Sequence, residues 1–423
     1  MILFACLMSF AVEPIHMTVD EALKALNADN PSIARAVAAG DGARAGRTIA
    51  TAGVLPSVSV AGGFTRYDAE VSFDLAPLFE ALGGTPPDPV VLQPLSAFTA
   101  NATLRVPLVA PQAWAGIAAA NHMIRSADAL EQGTRTALQG TAVQGFWTAA
   151  AAEGLITAFE ASVERSNTLL ATAKRAEAAG ATTRLPILQA EAELARRQGD
   201  LLAARASLEK TRSAIGALLG VDGPVAVDSP SNQENQLDED TLVASALSSR
   251  PELIAAREQV EAARARLTGV RAGLAPTVAA SATGLASSSA FSTGEKTAWR
   301  VGLDLTWVPL AGGLRAGNTE QASAALADAE AAETATRLQI SRQVRDAVAD
   351  VAVAAQRVEA STRQHAAAAE AATMSQRSYD QGTLDAASVI DSLERLDQAE
   401  ASRVDTHARL GMAHSALRTA IGE

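Results

Sequence analysis

The sequence contains four short segments in which apolar and polar residues alternate. From Trp299 to Trp307 every odd-numbered residue is apolar, and the even-numbered positions include Arg300 and Asp304. The other alternating segments are 57–65, 98–106 and 277–283. A period of two is typical of a β-strand with one apolar and one polar face. The sequence therefore predicts two β-hairpins, at about 57–107 and 277–307.

The length of these strands and their aromatic residues favour a membrane sheet. A tilted strand of about nine residues is long enough to cross a bilayer. A strand of a soluble sandwich also alternates, so the aromatic positions decide between the two. Aromatic residues lie in or at the ends of the segments, as in the girdles at a membrane surface: Phe64, Tyr67, Phe98, Trp299 and Trp307.

Four strands are too few to span a membrane alone. Open sheet edges in lipid leave unpaired backbone groups that cost several kcal/mol each, so closure requires further copies of the chain. Two copies would give eight strands with little interior space, whereas three would give twelve strands and an aqueous lumen. We then expect Arg105, Arg300 and Asp304 to face the lumen.

Long helices are predicted after each hairpin. No proline interrupts the two longest segments, which at about 1.5 Å per residue would each reach roughly 100 Å. Small or apolar residues recur with 4,3 spacing, as at Leu138, Ala142, Gly145 and Ala149, which is typical of coiled coils. The predicted helices span about 112–178, 186–219, 314–378 and 388–421.

The second half of the chain repeats the first. Gly53–Val58 recurs as Gly273–Val278, and Arg175–Gly180 recurs as Arg377–Gly382. A period of about half the chain indicates internal pseudo-symmetry and not a solenoid of short repeats. We predict structural repeats at 12–220 and 240–423, joined by a polar, proline-bearing linker at 221–239.

The N-terminal segment 1–11 is apolar and ends in Ser9-Phe10-Ala11, which resembles the cleavage site of a signal peptide. A positively charged start is lacking, so we expect a truncated signal. An ordinary apolar N-terminus and a lipidated Cys6 stay open as alternatives.

Composition and motifs argue against several classes of function. The net charge of -12 disfavours a nucleic-acid partner, because phosphate binding needs a basic face. Cys6 is the only cysteine, and the sequence has no phosphate-binding loop, no His-Glu-x-x-His and no Gly-x-Ser-x-Gly motif. His407 and His414 share a helix face but are too far apart to bind one metal ion together. We therefore predict no enzyme activity, no catalytic residue, no cofactor and no metal site.

Three segments give the chain a resemblance to a known family. They are Thr306–Arg315, with its glycine pair before an arginine, and the turn segments Gly180–Glu191 and Tyr379–Leu384. With the twofold repeat, they resemble the TolC-like outer-membrane efflux proteins of Gram-negative bacteria. The resemblance covers essentially the whole chain after residue 11.

The resemblance implies a mainly α-helical fold with a membrane β-barrel. Three copies would form a homotrimer with a 12-stranded barrel in outer-membrane lipid and an α-helical tunnel through the periplasm, joined by a mixed equatorial region. Such a protein is a passive exit duct of a tripartite efflux or type I secretion system. An inner-membrane transporter and a periplasmic adaptor, also called a membrane fusion protein, open it.

The resemblance also implies two sets of site residues. The adaptor would contact the helix turns at Gly180, Thr182, Gly382 and Leu384. The family's closed end carries carboxylates after the second turn, and here the gate candidates are Asp391, Ser388, Asp385 and Asp380. Ser388 stands where the family has an acid, so the acidic ring would be thinner. Ser388 to Asp391 also resembles a helix capping box, and Asp380 and Asp385 also fit solvated surface charges.

A second hypothesis is a periplasmic coiled-coil scaffold whose hairpins pair in a soluble sheet. It predicts a protein that salt or osmotic shock releases, whereas the duct predicts an oligomer that requires detergent.

Overall fold

The computed structural model describes residues 13–85, 89–230, 238–288 and 295–422. The expected signal peptide at 1–11, with Cys6, lies outside the described residues, as does 231–237 of the expected linker. None of the helices in the described ranges is both long and apolar enough to cross a bilayer. The helices are α1 Val19–Asp29, α2 Pro31–Ala52, α3 Ala76–Ala81, α4 Pro111–Ala178, α5 Leu185–Leu219, α6 Glu239–Ser249, α7 Pro251–Ala272, α8 Leu314–Asp380 and α9 Ala386–Ile421.

The strands form one larger sheet and two small ones. They are β1 Ile15–Met17, β2 Ser57–Arg66, β3 Val71–Phe73, β4 Val90–Gln93, β5 Ser96–Val109, β6 Val225–Val227, β7 Thr277–Ser287 and β8 Thr297–Thr306. The larger sheet is antiparallel, with the strand order β2-β5-β7-β8. β1 pairs in parallel with β6, and β3 pairs antiparallel with β4 inside the first hairpin loop.

The described chain divides into two compact units, and each takes residues from both sequence repeats. One unit holds the larger sheet together with the parts of α2, α4, α7 and α8 nearest to it, in 41–125 and 258–331. The other unit contains 1–40, 126–257 and 332–423. Both units are stated for the described residues of these ranges alone.

The second of these units is mainly helical, and we call it the helical unit. Three hydrophobic clusters hold it together. The first centres on Phe146, with Leu26 and Leu219 packed around it. The second gathers Ile340, Val344 and Leu417, so each repeat supplies a cluster built from the same kinds of helix. The third cluster packs α4 and α5 against α8 and α9, through Leu169, Ala190, Ala372, Val389, Leu393 and Leu396.

Glycines allow α4 and α9 to approach closely. A Cβ atom at Gly154 would lie 2.8 Å from a methyl group of Val404, and one at Gly411 would lie 2.5 Å from Cδ2 of Trp147. Both distances are shorter than real Cβ contacts. Gly140 makes the same kind of approach to Thr419. Residue numbers fall along α9 as they rise along α4, so the two helices are antiparallel. The contact positions on α4 are seven residues apart, which is the heptad spacing of a coiled coil.

Candidate functional site: the sheet faces and the helix turns

The strand register places the alternating residues on opposite faces of the sheet. Val58 lies opposite Leu104, and Val301 lies opposite Ala282, which itself lies opposite Leu104. Residues directly opposite in antiparallel strands share a face. The face is strongly exposed, with Trp299 at 81%. Its other large members are Val60, Phe64, Phe98, Leu303 and Leu305.

The opposite face is polar. Arg105 lies between Ser57 on β2 and Ser281 on β7. Arg300 and Asp304 lie on the same face as Arg105. Their partners on β7, Thr283 and Ala279, are each two residues from Ser281 and therefore point to the same side of the sheet. The three residues that the sequence predicts for a lumen therefore share one face of the sheet.

An arginine stabilises the connection from β8 to α8. Gly312 and Gly313 have positive φ values of 54° and 86°, which glycine adopts without the steric cost that other residues meet. The Arg315 guanidinium turns back and donates hydrogen bonds to the carbonyl oxygens of Val308 and Pro309. This geometry explains why a glycine pair stands before the arginine in the segment that carries the resemblance.

The turn between α4 and α5 and the turn between α8 and α9 have the same local structure. Gly180 and Gly382 have φ values of 72° and 75°. The next amide in each turn donates back to a carbonyl of the preceding helix, from Thr383 to Ser378 at 2.9 Å in the second turn. Such left-handed caps satisfy carbonyl groups that the end of a helix leaves without partners. Leu384, the other predicted contact residue of the second turn, packs against the third hydrophobic cluster.

Asp385 caps the N-terminus of α9. Its carboxylate accepts a hydrogen bond from the backbone amide of Ser388 at 3.1 Å. The hydroxyl and the amide of Ser388 hold the pKa of Asp385 below its ordinary value. The capping box expected at Ser388 to Asp391 is wrong, because α9 begins at Ala386 and both residues lie inside the helix.

Asp391 lies on the exposed surface of α9. It pairs with Arg395 at 3.0 Å, one turn further along the helix. Asp391, Ser388 and Arg395 line a groove of about 450 Å³ between α8 and α9. Asp380 is the last residue of α8 and accepts a hydrogen bond from Gln376. The four gate candidates thus lie close to the second turn, two at helix ends and two inside α9.

The helical unit contains a buried ionic cluster that the sequence did not predict, and we call it the Asp397 cluster. Asp397 accepts a hydrogen bond from Ser162 at 2.7 Å and pairs with Arg165 at 2.5 Å and Arg197 at 2.8 Å. Asp397 and Arg197 are only 6% and 4% exposed. The cluster joins α4 and α5 of the first repeat to α9 of the second.

Glu193 extends the Asp397 cluster along α5. Its carboxylate lies 2.6 Å from Nε of Arg197 and 2.8 Å from Nη2 of Arg196. Burial opposes its ionisation, but the hydrogen bonds and charges of the two arginines outweigh burial and lower the pKa of Glu193. The carboxylate therefore stays charged beside Arg197.

Comparisons with known proteins agree with this arrangement of sheet and helices. OprN, an outer-membrane channel, superposes with a TM-score of 0.80 at 20% identity, over 96% of this chain and 89% of its own. VceC, an outer membrane protein of Vibrio cholerae, gives 0.79 at 20% identity, over 96% of both chains. The CmeC outer membrane channel of Campylobacter jejuni gives 0.79 at 14% identity, over 96% and 85%. No curated protein sequence matched significantly.

The fold is that of outer-membrane channel proteins. The outer membrane efflux protein family matches residues 22–221 and 242–423, and the chain belongs to that family. The predicted family is confirmed, and so is the predicted location in the outer membrane.

Proposed function

We propose that the protein is the outer-membrane exit duct of a tripartite efflux or type I secretion system. The observation that carries the proposal is the sheet with one exposed apolar face and one polar face. A sheet of that kind suits a barrel wall between lipid and water. The family match supports the same function.

The sheet edges support a barrel shared between copies. Within the described residues, β2 and β8 each have one neighbour in the larger sheet. In lipid an unpaired edge costs several kcal/mol for each backbone group without a partner. We propose that β8 of one copy pairs with β2 of the next, so that three copies close a twelve-stranded barrel around the polar faces.

Membrane fractionation tests the duct. We expect the protein in the outer-membrane fraction, with a detergent-solubilised particle of trimer mass. A soluble monomer or dimer released by osmotic shock would contradict the duct and favour the coiled-coil scaffold.

Cysteine labelling tests which face of the sheet lines the lumen. Cysteines in place of Arg105 and Asp304 should react with a charged, water-soluble thiol reagent, because these side chains would face water inside the barrel. Cysteines in place of Leu104 and Leu303, the matched neighbours on the apolar face, should be protected in intact outer membranes. The opposite pattern of labelling would mean that the faces are assigned the wrong way round.

We propose that Asp391 narrows the inner end of the duct, with Ser388 beside it in the same groove and Asp385 and Asp380 at the turn. Removing its charge with Asp391→Ala should raise single-channel conductance and weaken block by multivalent cations, because fewer carboxylates would attract them. Asp346→Ala, which breaks an exposed pair with Arg342 inside α8, is the control. Unchanged currents in Asp391→Ala would leave Asp391 as a surface charge.

We propose that the two turns meet a periplasmic adaptor, which couples the duct to an inner-membrane transporter. Gly382→Val should reduce adaptor copurification while the amount of protein in the outer membrane stays normal, because valine does not fit the left-handed conformation of this turn. A loss of both would assign Gly382 a folding role only.

A further inference from the structure

The polar face of the sheet carries two arginines. Arg105 and Arg300 are both exposed, and neither makes an ion pair or a side-chain hydrogen bond among the described residues. Their cross-strand neighbours on this face are Ser57, Ser281 and Thr283. Hydroxyl groups provide no counter-charge, so no cross-strand neighbour on this face offsets the charge of either guanidinium.

The register places the two arginines in neighbouring rows. Arg105 lies opposite Ser281, and Arg300 lies opposite Thr283, two residues further along β7. Two residues of a strand span about 7 Å, so both guanidiniums fall in one narrow band of the sheet. Asp304 is the single acidic residue on this face of the four described strands, and it lies two rows from Arg300, beyond Arg105.

The charge of this band is opposite in sign to the net charge of the chain. The chain as a whole has a net charge of -12, whereas each copy contributes two guanidiniums and one carboxylate to the polar face. Charge on the wall of a narrow aqueous passage changes the local concentration of ions of the opposite sign. Carboxylate, sulfate and phosphate groups are also the partners that guanidinium binds best.

We infer that the Arg105–Arg300 band makes the barrel segment of the duct favour anions, and that organic anions are the solute class it binds. The inference rests on the proposed function, because the band surrounds a passage only when copies of the sheet close into a barrel.

Reversal potentials across a planar bilayer with a potassium chloride gradient test the band. The trimer with Arg105→Gln and Arg300→Gln should show an anion-to-cation permeability ratio at least about twofold below that of the wild type at low ionic strength. The difference should shrink in concentrated salt, where screening shortens the reach of the charges to about 3 Å. Each variant is compared with the wild type, so the acidic groups elsewhere in the duct act equally on both.

Matched variants separate charge from disturbance of the barrel. Arg66→Gln removes an arginine whose position in the β2 register is on the apolar face, and its ratio should equal that of the wild type. Arg105→Lys with Arg300→Lys keeps both charges and should also keep the ratio. Asp304→Asn should raise the ratio, because it removes the one negative charge near the band.

Block by citrate tests the solute class. Citrate added on the barrel side should reduce the chloride current of the wild type and reduce it much less in the double glutamine variant. If selectivity and citrate block are the same in the wild type and in the double glutamine variant, this inference is wrong, whereas the proposed function is unaffected. If the wild-type protein forms no channels at all, the proposed function fails, and the inference fails with it.

Discussion

Replacing Asp397 with alanine should lower the free energy of unfolding by about 3 kcal/mol, the lower end for breaking a buried ion pair, because the change removes the most buried carboxylate that faces the two arginines. Asp397 faces the guanidiniums of Arg165 and Arg197 and accepts the hydroxyl of Ser162. One nitrogen of Arg197, Nη2, is already buried without a hydrogen-bond partner in the described structure. Without Asp397, Arg197 would keep Glu193 and Arg165 would keep Glu400 as nearby carboxylates.

Denaturation of the purified protein, followed by circular dichroism of the helices, measures this loss. Protein concentration must be the same for all variants, since the stability of an oligomer depends on it. Asp405→Ala is the matched control on the same helix, because Asp405 pairs with Arg409 at 2.6 Å where both side chains are more than half exposed. Exposed pairs of this kind contribute at most about 1 kcal/mol. Equal losses in both variants would contradict the burial of the Asp397 cluster.

A double replacement tests whether the loss comes from unpaired charge. Asp397→Leu with Arg197→Met removes both buried charges and fills their volume with apolar atoms. Such replacements are often neutral or stabilising, whereas removal of one partner is costly. We expect the double variant to be more stable than Asp397→Ala. A double variant that is less stable would show that packing, and not charge, sets the cost.

The sheet could be predicted from the sequence because its pattern is local. Alternation fixes which residues of one strand share a face, so the pattern places Arg105, Arg300 and Asp304 opposite the apolar residues of their own strands, and the register then brings them to one face of the sheet. The long helices were predictable for a similar reason, since their proline-free segments give a continuous local signal. The closed trimeric barrel and its lumen stay predictions.

Very short strands and contacts between distant parts of the chain were not predictable from the sequence. β1 and β6 have three residues each, and their pairing joins Ile15 to Val225, so no periodicity reveals it. The Asp397 cluster draws on α4, α5 and α9. An aspartate next to Leu396 in an otherwise apolar heptad face was a signal in the sequence, but the sequence did not say which helices would supply the arginines. The capping box at Ser388 was wrong because Asp385, three residues earlier, is the better placed cap.

Replacing Gly411 with alanine should also destabilise the protein, by about 1–3 kcal/mol, and leucine should cost more. A Cβ atom at Gly411 would lie 2.5 Å from two carbons of the Trp147 indole, closer than real Cβ contacts allow. The indole is rigid, so α4 and α9 must separate or the ring must leave its rotamer. The midpoint of thermal unfolding in detergent, followed at a helical circular dichroism band, should fall.

Gly199→Ala is the control, and we expect it to change the stability in the opposite direction. Gly199 lies inside α5, and a Cβ atom added there would have no atom within 4 Å beyond the local backbone of its own helix, so alanine should gain about 0.5–1 kcal/mol from its better helix propensity. Trp147→Ala in the Gly411→Ala background should remove the clash, and the two changes should therefore not be additive. A Gly411→Ala variant as stable as the wild type would contradict the close approach of α4 and α9. The opposite signs at two helical glycines follow from contact alone, since helix propensity favours alanine at both.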